Sequence, residues 1–168
     1  FHGHEAPGLL IGGFMVDLAM ANLPDGEFFD CLCETPVCLP DAVQLLSPCT
    51  VGNGWLKIID TGRFAITFYD KAGGAGTRVY IDQEKLKNYG EIYSWFMKLK
   101  PKKEQDRDLL IKQILDANVN ILSLQKVNID ESFLGKKSKG KNAICPSCGE
   151  AYPIADGDTC RGCRGLLP

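Results

Sequence analysis

The feature that most constrains this 168-residue chain is a pair of Cys-x-x-Cys motifs near its C-terminal end. Cys145 and Cys148 form the first motif, Cys160 and Cys163 form the second, and eleven residues separate them. Each motif presents two thiolates from a tight turn, and two such motifs complete a tetrahedron around Zn²⁺. We therefore predict a structural zinc ribbon over residues 143–168. Iron in a similar site and two disulfides are the alternatives.

The rest of the chain predicts one larger domain over residues 1–134, joined to the ribbon by a basic linker over residues 135–142. That linker contains four lysines and two glycines. With 45% hydrophobic residues the chain has enough apolar sequence to bury a core. The ribbon is too short to do so, and metal binding would supply its folding energy.

The hydrophobic pattern of residues 1–134 predicts an α+β domain, with an antiparallel-rich sheet packed against helices. A helix starts at Pro7 and is apolar on nearly every side, which indicates a buried helix. Gly8 and Gly12 are four residues apart on it and would let another backbone approach closely. Further helices are predicted over residues 40–46, 83–100 and 104–117, and strands over residues 55–60, 63–70, 77–81 and 121–129.

A second set of metal-binding residue types lies in the first fifty residues. His2 and His4 are the only two histidines of the chain, and Cys38 and Cys49 flank a short helix. Imidazole and thiolate together suit zinc, iron or nickel. We predict that these two stretches meet in a small polar pocket that holds a second metal. Buried free cysteines and surface histidines are the alternative, and Cys31 and Cys33 could also contribute.

Two carboxylates are further candidates, as acid–base groups. Asp41 and Glu34 lie close in sequence to Cys38. We interpret Asp41 as a helix cap, which is the usual role of a carboxylate in the first turn of a helix.

The cellular location is predicted from the absence of membrane-spanning and signal-peptide patterns in the sequence. No run reaches the roughly 18 to 20 apolar residues that a membrane span needs, and residues 7–23 lack the features of a signal peptide. We therefore predict a cytoplasmic protein without membrane contact. Eight cysteines in such a protein favour metal or redox chemistry over structural disulfides.

Five motifs occur in a defined order along the first 69 residues. They are Phe-His-Gly-His from residue 1, Pro-Gly-Leu-x-Ile-Gly from 7, Cys-x-x-Asp-Ala-x-Gln from 38, Cys-Thr-x-Gly-Asn-Gly from 49 and Thr-Phe-Tyr from 67. This series resembles the family of formylmethanofuran dehydrogenase E subunits. The resemblance implies an α+β core, often a homodimer, with a metal-binding cleft formed by the His-Gly-His segment and the Cys-Thr turn. Carried over to this chain, it implies a second metal site, zinc foremost, with His2 and Cys49 as ligands and His4 and Cys38 as weaker candidates. Members often have a cysteine before the Pro-Gly pair, where this chain has Ala6.

The resemblance implies an accessory role. The parent enzyme uses a molybdenum or tungsten pterin, which a chain of this size could not hold. We therefore expect a metal-binding accessory protein that docks on, or supplies metal to, a molybdenum or tungsten oxidoreductase. An independent metal-dependent enzyme of one-carbon or redox metabolism is the first alternative. Nucleic-acid binding through the ribbon is the second, and it is disfavoured because Tyr152 is the only aromatic residue after Phe133.

Overall fold

The computed structural model describes residues 2–23, 28–134 and 140–166. It divides into two compact units, Phe1–Leu134 and Gly135–Pro168. Most of the predicted basic linker, residues 135–139, lies outside the described residues.

The first unit combines helices with strands. Its helices are α1 (Pro7–Met20), α2 (Leu39–Leu46), α3 (Gln83–Leu86), α4 (Gly90–Phe96) and α5 (Arg107–Ala117). Its strands are β1 (Phe29–Cys33), β2 (Leu56–Ile58), β3 (Ala65–Asp70), β4 (Ala75–Ile81) and β5 (Leu122–Asn128). Among the described residues these strands form a sheet in the order β2-β1-β3-β4-β5. Only the β1–β2 pair of that sheet is parallel. The predicted α+β class with an antiparallel-rich sheet is therefore confirmed.

The core lies between the sheet and α1. This helix packs against α2, β3, β4 and α5. Ile11 and Met15 of the helix are fully buried, as are Ile66 and Phe68 on alternate positions of β3. Burial of large apolar side chains contributes on the order of 2 kcal/mol each. The helix predicted to be buried is therefore the centre of the unit.

The pairing of β2 differs from the prediction. Only Thr61 and Gly62 separate the predicted strands over residues 55–60 and 63–70, and a turn this short favours an antiparallel hairpin. Instead β1 lies between β2 and β3, and its Cys31 N–H donates to the carbonyl of Trp55 over 2.7 Å. The short turn could not reveal this, because a strand from earlier in the chain competes for the same backbone groups.

The helix predicted over residues 83–100 is interrupted. It forms as α3 and α4, and Tyr89 between them has an extended backbone with no side-chain cap. Gly90 then begins α4, which ends at Phe96. Glycine weakens a helix interior, so a break beside it costs little.

The sheet face away from α1 carries buried charges. Glu34 accepts hydrogen bonds from Arg78, at 2.5 Å from Nε and 3.0 Å from Nη2, and it also pairs with Arg63. Burial alone would raise the pKa of Glu34, but the hydrogen bonds and charge of Arg78 outweigh it and lower that pKa. Glu34 is therefore an ionised anchor between strands and not a free acid–base group.

Two glycines of α1 allow α2 to approach closely, as predicted. A Cβ atom added at Gly12 would lie 2.7 Å from the Cβ of Ala42, and one added at Gly8 would lie 3.0 Å from the Sγ of Cys38. An added side chain would be crowded at both positions, so the backbone of α1 packs directly against the side chains of Ala42 and Cys38.

We predict that Gly12→Ala lowers the free energy of unfolding of the first unit by about 1–3 kcal/mol, because overpacking forces α1 away from Ala42. Gly13→Ala is the matched control, since its Cβ would meet Leu46 at an ordinary 3.7 Å. That change should be neutral or stabilising, as alanine favours the helix. Urea denaturation measures both, and equal effects of the two variants would contradict the packing explanation.

The second unit contains a short hairpin and a helical turn. Strands β6 (Asn142–Ile144) and β7 (Ala151–Pro153) pair antiparallel, and the helical turn spans Gly162–Leu166. Tyr152 is buried, and its hydroxyl donates to the carbonyl of Gly157 over 2.9 Å. In the described parts of both units, no helix has the length and apolar character that a membrane crossing requires.

Candidate metal centre

Four cysteines of the second unit form a cluster with the dimensions of a zinc site. The ligand atoms of Cys145, Cys148, Cys160 and Cys163 all lie within 4.8 Å of one another. The Sγ atoms of Cys145 and Cys163 are 3.9 Å apart, and those of Cys148 and Cys160 are 3.8 Å apart. A tetrahedron with Zn–S bonds of about 2.3 Å has sulfur–sulfur edges of about 3.8 Å, whereas a disulfide bond is only about 2 Å long. The cluster therefore fits zinc, and all four predicted ligands are brought together.

Backbone N–H groups favour thiolates in this cluster. The N–H of Cys160 points at the Sγ of Cys145 over 3.5 Å, and the N–H of Cys163 points at the Sγ of Cys160 over 3.3 Å. The hydrogen bonds from Cys160 and then Cys148 lower the pKa of the Cys145 thiol to about 6. Hydrogen bonds with the side chains of Cys160 and then Cys148 act in the opposite direction on Cys163 and raise the pKa of its thiol to about 12. Cys145 is therefore the thiol whose ionisation the backbone N–H groups favour, and ionisation is what metal binding requires.

The N-terminal histidines meet the first turn of α2. The Nδ1 atom of His2 lies 2.6 Å from Oδ2 of Asp41, and the rings of His2 and His4 are 5.1 Å apart. A carboxylate oxygen accepts hydrogen bonds, so Nδ1 is the donor in this contact, and Nε2 lies on the far side of the ring from Asp41. This is how proteins orient an imidazole that binds metal. Asp41 lies in the first turn of α2, whose N-cap residue is Cys38, so it is not the N-cap, and its carboxylate is turned to His2.

Cys38 directly precedes α2 and packs beside Gly8 of α1. Its backbone has a positive φ of 59°, an uncommon conformation for a non-glycine residue. Burial, and then the nearby charge of Asp41, raise the pKa of its thiol. Cys38 also lines a cavity of about 540 Å³. It is therefore a neutral thiol at a cavity wall.

Cys49 has different neighbours from His2. Its thiol is fully buried, lies 3.8 Å from the carbonyl oxygen of Phe29 and has a pKa raised to about 11 by burial. The thiols of Cys31 and Cys33 are also buried in the core, and burial raises the pKa of both. In the described residues, the second-unit cluster is the group in which three or more ligand atoms lie close enough for metal. The pairing of His2 with Cys49 stays a prediction.

The cavity beside Cys38 escaped the sequence analysis. Its walls include Phe64, Trp95 and Phe96, and Lys98 and Lys102 also line it. The run of aromatic and basic residues from 95 to 102 was the available signal. It was hidden because that segment was assigned to one amphipathic helix.

The architecture and the cysteine cluster define a class: a metal-binding protein with an α+β core and an appended zinc finger. The comparisons agree. Residues 1–129 match the model of the family described as FmdE, molybdenum formylmethanofuran dehydrogenase operon, and residues 136–168 match the FmdE treble clef zinc finger. The chain belongs to the FmdE family.

Two relatives extend this result. The crystal structure of a tungsten formylmethanofuran dehydrogenase FmdE-like protein from Syntrophus aciditrophicus is 54% identical, with a TM-score of 0.90, and the match covers 100% of this chain and 88% of that one. A probable S-adenosyl-L-methionine-binding protein of Archaeoglobus fulgidus is 27% identical over 186 residues, covering 98% of this chain. The chain spans about half the length of that second relative.

We predict that Cys148→Ser removes the tightly held zinc of the second unit, because a serine hydroxyl does not replace a thiolate ligand. Elemental analysis after desalting should fall by one zinc per chain. Ser147→Ala, one residue away, is the control and should keep its zinc. Full zinc retention by Cys148→Ser would refute the assigned ligand set.

Proposed function

We propose that this protein is a metal-binding accessory protein that docks on, or supplies metal to, a molybdenum or tungsten oxidoreductase. The four-cysteine finger is the main support for this proposal. A metal held by four thiolates has no open position for substrate, so the finger favours a structural or docking role over catalysis. The operon association in the family description, and the FmdE-like name of the Syntrophus relative, support the type of partner. The finger is the docking surface in this proposal.

A second metal site at the N-terminal segment would be the functional centre of the core. We propose that His2 and His4 bind zinc there, with iron or nickel as substitutes, and that Asp41 orients His2. Support comes from the short His2–Asp41 contact and the 5.1 Å ring separation, since two imidazoles at that spacing can reach one ion. Ala6 is buried beside His4 in the wall of a smaller cavity. The ligand set therefore lacks the thiol that the family often has there.

We predict that the wild type, with its finger filled by zinc, takes up one further Zn²⁺ per chain, and that His2→Ala and His4→Ala abolish this uptake. Asp41→Asn should weaken it by about tenfold or more, as expected when the partner of a ligating histidine is changed. Asp17→Asn, an exposed carboxylate on α1, is the control. Equilibrium dialysis followed by elemental analysis measures the stoichiometry.

Cys49→Ala decides between the two ligand sets for this site. Retained uptake supports a histidine site, and lost uptake supports the sequence-based pair of His2 and Cys49. Ala6→Cys should tighten the site by supplying the missing thiolate. If the wild type binds no second ion, or if all variants bind equally, the second site does not exist.

We predict that the protein is a homodimer. We also predict that it co-elutes with a molybdenum or tungsten formylmethanofuran dehydrogenase, prepared without the enzyme's own FmdE protein. Leu45 and Leu46 at the end of α2 are more than half exposed, and a second copy would cover them. Size exclusion with light scattering reports both masses. The Cys148→Ser chain should stay dimeric but lose the complex. A wild-type chain that elutes apart from the oxidoreductase would overturn the docking proposal.

The His2–Asp41 contact also favours the first alternative, an independent metal-dependent enzyme, because an oriented imidazole can bind metal or transfer protons. Metal-dependent turnover by the isolated protein would support that alternative. Nucleic-acid binding has less support, because Tyr152 packs inside the finger and cannot stack on bases.

A further inference from the structure

A cavity of about 540 Å³ lies between the residue that precedes α2 and the C-terminal end of α4. We call it the aromatic cavity. Its lining includes Phe64, Trp95, Phe96, Lys98 and Lys102. Phe96 packs edge-to-face on Phe64, with centroids 6.0 Å apart, and lies 6.1 Å from Trp95. Because Phe96 contacts both of the other rings, the three form an aromatic wall that suits a planar ligand.

The charge lining this cavity is entirely positive among the residues that the structure describes. Lys98 and Lys102 both line it, and no carboxylate does. Within the same described residues neither ammonium group takes part in an ion pair, whereas Lys100 between them is 2.9 Å from Glu91. Uncompensated lysines beside apolar walls attract an anion, and a carboxylate accepts charge-assisted hydrogen bonds from both.

Lys98 has an unusual backbone for a lysine. Its φ is 54°, in the left-handed region that follows many helices and that glycine occupies without steric cost. Its backbone N–H donates to the carbonyl of Trp95 over 3.2 Å and closes the end of α4. A glycine here would relieve strain while removing the ammonium group, so this position separates stability from ligand binding.

We propose that the aromatic cavity binds a small aromatic carboxylate, with its ring stacked between the aromatic walls and its carboxylate facing Lys98 and Lys102. The proposed binding needs no metal, although Cys38, a weaker candidate for the second metal site, lines the same cavity. A smaller cavity that His4 and Ala6 line shares Trp95 and Lys102 with this one. A bound ligand would therefore lie across Trp95 from the N-terminal histidine segment.

The test uses 4-nitrobenzoate, whose nitroaromatic ring quenches indole fluorescence, and the neutral 4-nitrobenzamide. The chain has two tryptophans, so Trp55→Phe leaves Trp95 as the reporter and Trp95→Phe leaves Trp55. We expect saturable quenching by nitrobenzoate in the Trp55→Phe protein and none beyond collisional quenching in the Trp95→Phe protein. Nitrobenzamide should bind about tenfold more weakly, because it cannot form the two solvent-exposed ion pairs that the carboxylate would make with Lys98 and Lys102.

Lysine variants of the Trp55→Phe protein test the charge. Lys98→Gly and Lys102→Gln should each weaken nitrobenzoate about threefold and leave nitrobenzamide unchanged. Lys103→Gln is the matched control, because Lys103 is exposed in the same turn but does not line the cavity. Thermal unfolding should show Lys98→Gly to be as stable as its parent or more so, which excludes unfolding as the cause of weaker binding.

Three results would overturn the proposal. The first is equal affinity for the carboxylate and the amide. The second is a loss in Lys103→Gln as large as that in Lys102→Gln. The third is saturable quenching of Trp55 in place of Trp95, because Trp55 has its own cation, with the Nζ atom of Lys71 at 3.4 Å from the ring centroid.

Discussion

The contact between α1 and α2 at Gly8 and Gly12 is the constraint on which the core unit depends. A side chain at position 12 would not fit beside α2, since an added Cβ at Gly12 would lie 2.7 Å from the Cβ of Ala42. The contact sets the start of α2 against the start of α1. It thereby places Asp41 within reach of His2 and Cys38 beside Gly8. The packing of two glycines thus determines the geometry of the proposed metal segment.

The two groups of cysteines differ because their surroundings differ. In the finger, backbone N–H groups point at sulfur and lower the pKa of Cys145, while neighbouring thiols raise that of Cys163, and the four sulfur atoms lie close enough together to share one cation. In the core, burial without such donors raises the pKa of Cys31, Cys33 and Cys49. A buried thiol of this kind acts as a small apolar side chain. Residue type alone therefore does not identify a metal ligand in this chain.

The core unit places two different chemistries close together. The oriented imidazole of His2 and the ring of His4 offer nitrogen ligands, whereas the cavity next to them offers aromatic walls and lysines. Trp95 and Lys102 line both neighbouring cavities. A metal and an organic anion at these two places would be separated by one indole ring.

The sequence by itself determined the features that depend on local spacing. The finger follows from two Cys-x-x-Cys motifs, and the buried first helix follows from its apolar residues on all sides. The close helix approach follows from Gly8 and Gly12, and the family follows from five ordered motifs. Each is encoded within a few residues, where covalent geometry leaves few alternatives.

Only the tertiary structure decided the features that depend on distant segments. In the folded unit β1 lies between β2 and β3, because a strand from elsewhere in the chain can pair with β2 even when a short turn connects β2 to β3. The fold also brings Asp41 into contact with His2, 39 residues away, and places the Cys49 thiol next to the carbonyl of Phe29. The end of α4 and the residue that precedes α2 also come together and line one cavity. Such contacts arise from the packing of the whole unit, which no spacing in the sequence records.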